Sequence, residues 1–350
     1  MDFDSIFRAA SSRFDAAYAR GGTPTDYLVG GRPVRIRVAG AALAEEIDLP
    51  LRHLRTTVPA MPELAIDLWD QGETGVDAVM GPPLTDALPF GNVSMSDDRR
   101  FLGEQRPSGA LWYDRRANRV VGSVQDLKRR MLDERARPFH RFFCVWLADH
   151  GIQFVHSGLI ARTGADGRPV GMLFVGMGGT GKTTSSIACF RAGLAYLGDD
   201  AIGIEQAGDG FVGHGFYASC LIDVDHIRRF PDLQARSLPP LNDYEEKAVV
   251  YLAPIDAARV ESRVRIAAVV LPRILDQSDT AARPVSKGRA LLSLAPSSIM
   301  QLPITTHGAI DRLADLIARV PTYCLELGRD VEAIPAAVNA LFDSLETAST

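Results

Sequence analysis

The sequence predicts an α/β fold with a mixed sheet, on three observations. Met172-Leu173-Phe174-Val175 is a short apolar run that reads as a buried strand; it is followed by a glycine-rich loop at residues 176–183 and by a helix from Thr183 to Arg191 that Gly193 is placed to end. The strand entering the loop is reached by a hairpin from Ile152–Ala161 through the turn at 162–168, whereas a doubly wound sheet would place a crossover helix there. Upstream, period-two alternation recurs in short runs, which predicts a β-rich N-terminal module over 1–125 ahead of a loop-bearing domain over 126–350.

In chain order, Ile6, Phe7, Ala10, Phe14 and Ala17 share one face of a helix over 5–20. Tyr27–Val29 and Val34–Val38 flank a Gly30-Gly31 turn as a hairpin, and Glu63–Trp69 is a further strand. Residues 70–107, rich in Gly, Pro, Asp and Ser, predict a long irregular segment. Leu111–Tyr113 and Arg119–Ser123 form a second hairpin, and Arg137–His150 an apolar helix with Pro138 in its first turn. Beyond the loop, strands are expected at 194–197, 201–205, 210–217, 247–252, 264–271 and 322–327, and helices at 286–294, 307–319 and 331–346.

At 350 residues, 46% hydrophobic, the chain can bury a substantial core. A net charge of −5 with no long run of like charge argues against nucleic acid as a partner. The acidic start Met1-Asp2-Phe3-Asp4 lacks an apolar signal region, and no apolar stretch reaches membrane-spanning length, so no membrane association and a cytoplasmic location are expected. Cys144, Cys189, Cys220 and Cys324 are scattered, as buried free thiols are.

Residues 176–183 match G-x-x-x-x-G-K-[ST] in full. In that motif backbone amides and the positive end of the following helix converge on a phosphate chain, so Gly176, Gly178, Gly179, Thr180, Gly181, Lys182, Thr183 and Thr184 are the expected nucleotide-binding residues. Lys182 is placed for the β/γ-phosphates and the Thr183 hydroxyl for Mg²⁺, which makes ATP and Mg²⁺ the expected cofactors. Of 38 basic residues only Lys128, Lys182, Lys247 and Lys287 are lysine, so a lysine at 182 stands out against an arginine background. Lys247, directly after Glu245-Glu246, reads as a partner for those carboxylates.

Asp199-Asp200 ends the strand that follows the loop helix, which brings two carboxylates toward the phosphates. One aspartate can hold Mg²⁺ while the other accepts a proton from an attacking hydroxyl; alone, the pair would read as a turn cap. His156 falls mid-strand in Phe154–Leu159, beside the small residues Ser157 and Gly158 that permit close approach of a ligand.

His156-Ser157-Gly158, the loop, Arg191-Ala192-Gly193 and Asp199-Asp200 together resemble the HPr kinase/phosphorylase family, whose fold is shared with the phosphoenolpyruvate carboxykinase core; the likeness is specific over about 137–205. It implies a mixed-sheet core of that type. It also implies that Asp200 is the proton acceptor and His156 lies near the transferred phosphoryl group, while Lys182 and Thr183, with Asp199 on the metal side, handle the phosphates and Mg²⁺. The chain departs from the family pattern in its longer hairpin, in Ser157 between His and Gly, and in lacking the downstream Glu-Ile-Arg-Gly signature, for which Asp223 or Asp225 is a substitute metal ligand. The expected activity is Mg-ATP-dependent transfer of the γ-phosphoryl group to a hydroxyl acceptor (a serine in a protein or peptide, or a small molecule), with a homo-oligomer left open. The competing reading is a nucleotide-gated binding or regulatory protein with slow or no ATP hydrolysis.

Overall fold

The computed structural model describes residues 2–58, 60–81, 92–164, 167–241, 245–302 and 308–347. The chain divides into two compact units, 1–146 with 241–245 and 147–240 with 246–350.

The first unit comprises α1 (Phe3–Tyr18), β1 (Thr23–Val29), β2 (Arg32–Ala39), α2 (Ala41–Leu51), β3 (Leu64–Asp70), α3 (Gln71–Thr74), β4 (Asn92–Met95), β5 (Phe101–Arg106), β6 (Gly109–Asp114), β7 (Arg119–Val124) and α4 (Leu132–Ala136). Its seven strands run in the order β1-β2-β3-β7-β6-β5-β4, with β3 parallel to both neighbours and the other pairs antiparallel. The Asp2 side chain caps α1, whose apolar face buries Ala10, Phe14 and Ala17 against Trp69, Trp112 and Val121. The expected irregular segment at 70–107 is overturned where it is described, because it holds α3, β4 and β5; residues 82–91 lie outside the described residues. Period-two alternation is hidden in β5 because Glu104 and Gln105 are buried polar side chains, Glu104 accepting from Arg106 at 2.7 Å and Gln105 from Gly81 N at 2.7 Å. The unit also extends past residue 125: Arg106 bonds Asp133 at 2.9 Å and Ser108 bonds Glu134 at 2.6 Å, which ties α4 to the β5–β6 hairpin.

The chain passes into the second unit within α5 (His140–Asp149), which starts after Pro138 rather than around it, since Phe139 adopts a φ of 60° that no helix continues. The second unit contains β8 (Gln153–Val155), β9 (Ser157–Thr163), β10 (Pro169–Val175), α6 (Lys182–Arg191), β11 (Ala195–Gly198), β12 (Ile202–Ala207), β13 (Gly210–Gly215), β14 (Ser219–Asp223), α7 (Val224–Ile227), α8 (Pro231–Gln234), β15 (Lys247–Tyr251), β16 (Arg263–Ile274), β17 (Ala281–Pro284), α9 (Lys287–Met300), α10 (Ala309–Arg319), β18 (Thr322–Leu327) and α11 (Ile334–Thr347). The main sheet runs β11-β9-β10-β16-β13-β12-β8. The long β16 also pairs in parallel with β18, whose other neighbour is β17. Strands β10, β16 and β18 are parallel while β9 is antiparallel to β10 and β11, so the sheet is mixed. Alternate residues of β10 enter different cores. Met172 and Phe174 join Ile187 and Phe190 of α6 and Val338 of α11, whereas Leu173 and Val175 join Leu294 of α9 and Leu313 of α10. Both faces being covered, β10 is a continuous apolar run.

One expected element splits. The strand anticipated over 152–161 breaks at His156: β8 pairs with β12, and β9 pairs with β10 and β11. His156 therefore occupies the step between two strand partners and not a mid-strand position. β14, β17 and α2 carry no clear periodic signal and are additions to the sequence reading.

Candidate functional site

The site lies along one edge of the second unit's sheet. β9 is antiparallel to both β10 and β11, so β10 and β11 end on the edge where β9 begins. In register, Val175 faces Ser157, Phe174 faces Gly158, and Gly198 faces Leu159. The loop following β10, the Asp199-Asp200 step following β11 and His156 preceding β9 are thus brought together, the carboxyl-end position favoured for ligands in α/β sheets.

The loop 176–181 delivers the chain into α6. Gly181 has a φ of 103°, and a β-carbon there would sit 2.5 Å from Leu327 Cδ1, so only glycine fits this entry to the helix. The first intrahelical bond is Ser185 N to Gly181 O at 2.9 Å, which leaves the preceding amides of the α6 start directed out of the helix end. Gly178 and Gly179 are exposed at the loop tip, the Thr180 hydroxyl donates to Met177 O at 2.9 Å, and Thr184 is half-buried in the first turn. Lys182 is 5% exposed and its Nζ donates to Gly176 O at 2.7 Å and Met177 O at 3.2 Å, inside the loop it belongs to. Burial lowers its proton affinity, with Asp200 and Asp199 opposing that shift.

Asp199 is buried between the helix and the sheet. The Thr183 hydroxyl donates to Asp199 Oδ2 at 2.6 Å, while Asp199 Oδ1 has no hydrogen-bond partner among the described residues. Ser157 Oγ and Ser186 Oγ are buried without partners among the described residues in the same region, where a β-carbon on Gly158 would lie 2.5 Å from Ser186 Oγ and 3.3 Å from Asp199 Oδ1. Glycine at 158 is what lets α6 close down on β9. Burial, then the neighbouring Asp200 charge, push the Asp199 carboxyl up to about 7 against the lowering effect of Thr183. The Thr183 hydroxyl and an unsatisfied carboxylate oxygen form an all-oxygen donor pair suited to a hard divalent cation that takes its remaining ligands from phosphate and water. Among the described residues no three His, Cys, Asp or Glu side chains cluster as metal ligands. Asp223 instead caps α7 by accepting from Asp225 N at 2.9 Å, and Asp225 pairs with Arg228 at 3.1 Å, so neither takes the expected substitute role.

Asp200 has a φ of 62°, a left-handed conformation that costs a non-glycine residue about 1 kcal/mol and that aspartate tolerates better than most. This turn separates the two carboxylates: Asp199 goes to Thr183, and Asp200 goes to His156 and Lys247. His156 Nε2 lies 3.4 Å from Asp200 Oδ1, and Nδ1 lies 3.0 Å from Gln301 Nε2. With the ring proton on Nε2, the imidazole donates to the carboxylate and accepts from Gln301. The His156 backbone is fixed by its N–H donating to Ser298 Oγ of α9 at 3.0 Å. Lys247 Nζ approaches Asp200 Oδ2 at 3.8 Å.

All the site residues named from the sequence thus belong to the second unit, and Lys182, Thr183, Asp199, Asp200 and His156 form one constellation. Three residues join it that sequence reasoning did not place there: Lys247, Gln301 and Ser298. The scarcity of lysine was the available signal for Lys247; nothing local marked the other two.

Fold and site define a mixed α/β unit with a phosphate-loop edge. No family model matches the chain, and no curated protein matches it. Among solved structures the chain is similar to the Hpr(Ser) kinase/phosphatase from Coxiella burnetii, at 12% identity and a TM-score of 0.33, over 56% of this chain and 94% of that one. The likeness is distant. Among the described residues, no helix is long and apolar enough to cross a membrane.

Proposed function

We propose that the chain is a Mg-ATP-dependent phosphotransferase that moves the γ-phosphoryl group to a hydroxyl acceptor, with a core of the HPr kinase type. The observation that carries this reading is the split of two adjacent buried carboxylates across the end of a phosphate-binding loop, one on the Thr183 side and one on the His156 side. A protein that only bound nucleotide would have no need of the second carboxylate.

The α6 amides and Lys182 bind the triphosphate, with Lys182 exchanging its loop carbonyls for phosphate oxygens. Thr183 and Asp199 would hold Mg²⁺, which when bound neutralises phosphate charge. Asp200 accepts the acceptor's proton, and His156 orients that carboxylate through Oδ1. Stabilisation comes mainly from charges fixed before the reaction begins.

The test measures ATP binding and γ-phosphate release or transfer in parallel. Asp200→Asn is expected to bind ATP within about twofold of wild type and to turn over roughly 10²–10⁴-fold more slowly. Lys182→Ala is expected to lose ATP binding itself. Wild-type turnover by Asp200→Asn removes Asp200 as the base. Wild-type ATP binding by Lys182→Ala removes the loop as the nucleotide site.

A further inference from the structure

Lys247 has no part in the reading so far, yet the fold brings it to the site. It is one of only four lysines in the chain, and it and Lys182 come from segments 65 residues apart to act on the same carboxylates. Lys287 donates instead to Val320 O, a structural contact. The carboxylates adjacent in sequence are not its partners. Glu245 accepts from Leu132 N at 2.6 Å and Leu241 N at 2.7 Å, and among the described residues Lys247's ion pair is with Asp200.

We propose that Lys247 is a catalytic residue that contacts the phosphoryl group in transit between nucleotide and acceptor, as a second cation opposite Lys182. This rests on the phosphotransferase reading above.

The position of Lys247 is fixed at its base and free at its tip. It opens β15, directly across from Asp223 of β14, and the following Ala248, Val249 and Val250 are buried. Its backbone neighbour Glu246 O accepts from Val224 N at 3.2 Å. The side chain, by contrast, is 51% exposed, and Nζ stands 3.8 Å from Asp200 Oδ2, beyond hydrogen-bond length. Lys247 is thus the half-exposed partner of a buried carboxylate, near enough to feel its charge and not held to it by a hydrogen bond. Lys182 and Asp199 both feel its charge as well. A flexible point charge held close to a carboxylate without being locked to it can be transferred to an arriving anion, which a guanidinium fork on two oxygens does less readily.

The transfer balances as follows. The acceptor oxygen bonds to the γ-phosphorus as the bond from that phosphorus to the β–γ bridging oxygen breaks, the electron pair leaving with ADP. The hydroxyl proton passes to Asp200 Oδ2. Lys247, 3.8 Å from that oxygen and not hydrogen-bonded to it, turns its charge to the non-bridging oxygens of the phosphoryl group. His156, on Oδ1, is not displaced by this exchange.

The experiment compares binding of ADP and of ADP with aluminium fluoride, a mimic of the phosphoryl group in transit, in the presence of Mg²⁺, for wild type, Lys247→Gln and Lys247→Arg. Lys247→Gln is expected to bind ADP within about twofold of wild type and to lose roughly 10²-fold in affinity for the fluoride complex, with ATP turnover falling in kcat and not rising in KM. Lys247→Arg, which keeps the charge but can lock it as a fork on the carboxylate, recovers only part of the loss. Equal losses for both ligands, or no loss for either, overturn the proposal. If the wild type binds neither ligand, the nucleotide reading has failed first and the role of Lys247 falls with it. Retention of the wild-type urea midpoint by Lys247→Gln keeps misfolding out of the comparison.

Discussion

Buried aspartates are treated in opposite ways by the two units. In the first unit Asp48, Asp67 and Asp114 are saturated by arginine, while Asp70 caps α3 by accepting from Gly72 N at 2.8 Å. Asp67, fully buried, accepts from Arg37 at 2.6 and 2.8 Å and from Arg119 at 2.7 Å, because the register sets Arg37 directly beside it and β7 lies on its other flank. Asp48 accepts from Tyr27, Arg52 and Arg55, and Asp114 from Arg100 and two backbone amides. In the second unit Asp199 is as deeply buried, yet among the described residues one oxygen has a single hydroxyl and the other has no donor. The carboxyl groups respond accordingly. At Asp114 burial alone would raise the pKa, but the Arg100 and backbone donors win and lower it. At Asp199 burial wins, reinforced by Asp200, and the group rises to about 7. A carboxylate that serves the fold is neutralised by the fold, whereas one left short of donors is stabilised only when something else arrives.

The largest expected effect tests the saturated side. Asp67→Ala would leave Arg37 and Arg119, both half-buried, without the buried carboxylate they share, and should destabilise the protein by about 3 kcal/mol in urea unfolding. A cost near zero would mean that this network is no more structural than the Asp199 site.

Asp199→Asn tests the unsaturated side and should do the reverse. Because the folded-state pKa is raised from 3.8 to about 7, the folded protein holds this proton more tightly than the unfolded chain does. Stability is therefore fully present below the ordinary carboxylate range and is lost as pH rises toward 7. The variant, which cannot ionise, should be more stable than wild type at pH 8 by roughly 2–4 kcal/mol, with the gap closing toward pH 4. A gap that is flat with pH, or that widens in acid, would contradict the raised pKa of this carboxyl.

A smaller effect is expected at Gly158. An alanine there would meet Ser186 Oγ at 2.5 Å, a hydroxyl that can rotate aside, so Gly158→Ala should cost about 1 kcal/mol. Adding Ser186→Ala should recover most of it, since the two changes share one contact. An unchanged cost in the double variant would show that the backbones of β9 and α6, and not this side chain, set the approach.

Much of the site was legible in the chain. The loop motif carries its own conformational requirements: glycine at 181 for a left-handed entry to the helix, with lysine and threonine directly after it at the start of α6. Such local rules survive any tertiary context. The N-terminal hairpins, β3 and β18 were equally readable, since their period-two alternation is a property of neighbouring residues. β5 was not, because buried Glu104 and Gln105 break the alternation and their partners lie elsewhere in the unit. The break at His156 was not readable either. β8 and β9 are both apolar, and only their different sheet partners separate them.

By itself the sequence determined that a glycine-rich loop would sit between a buried strand and a helix, with two carboxylates one strand later, because turn chemistry and hydrophobic period act over a few residues. Only the tertiary structure decided what each carboxylate faces. The left-handed turn at Asp200 sends the adjacent side chains apart, and the pairing of β15 with β14 brings Lys247 to the outer one. The contacts of Asp200 with His156 and Lys247 join residues 44 and 47 positions apart, and electrostatics between them depends on distance in space, about which spacing along the chain is silent.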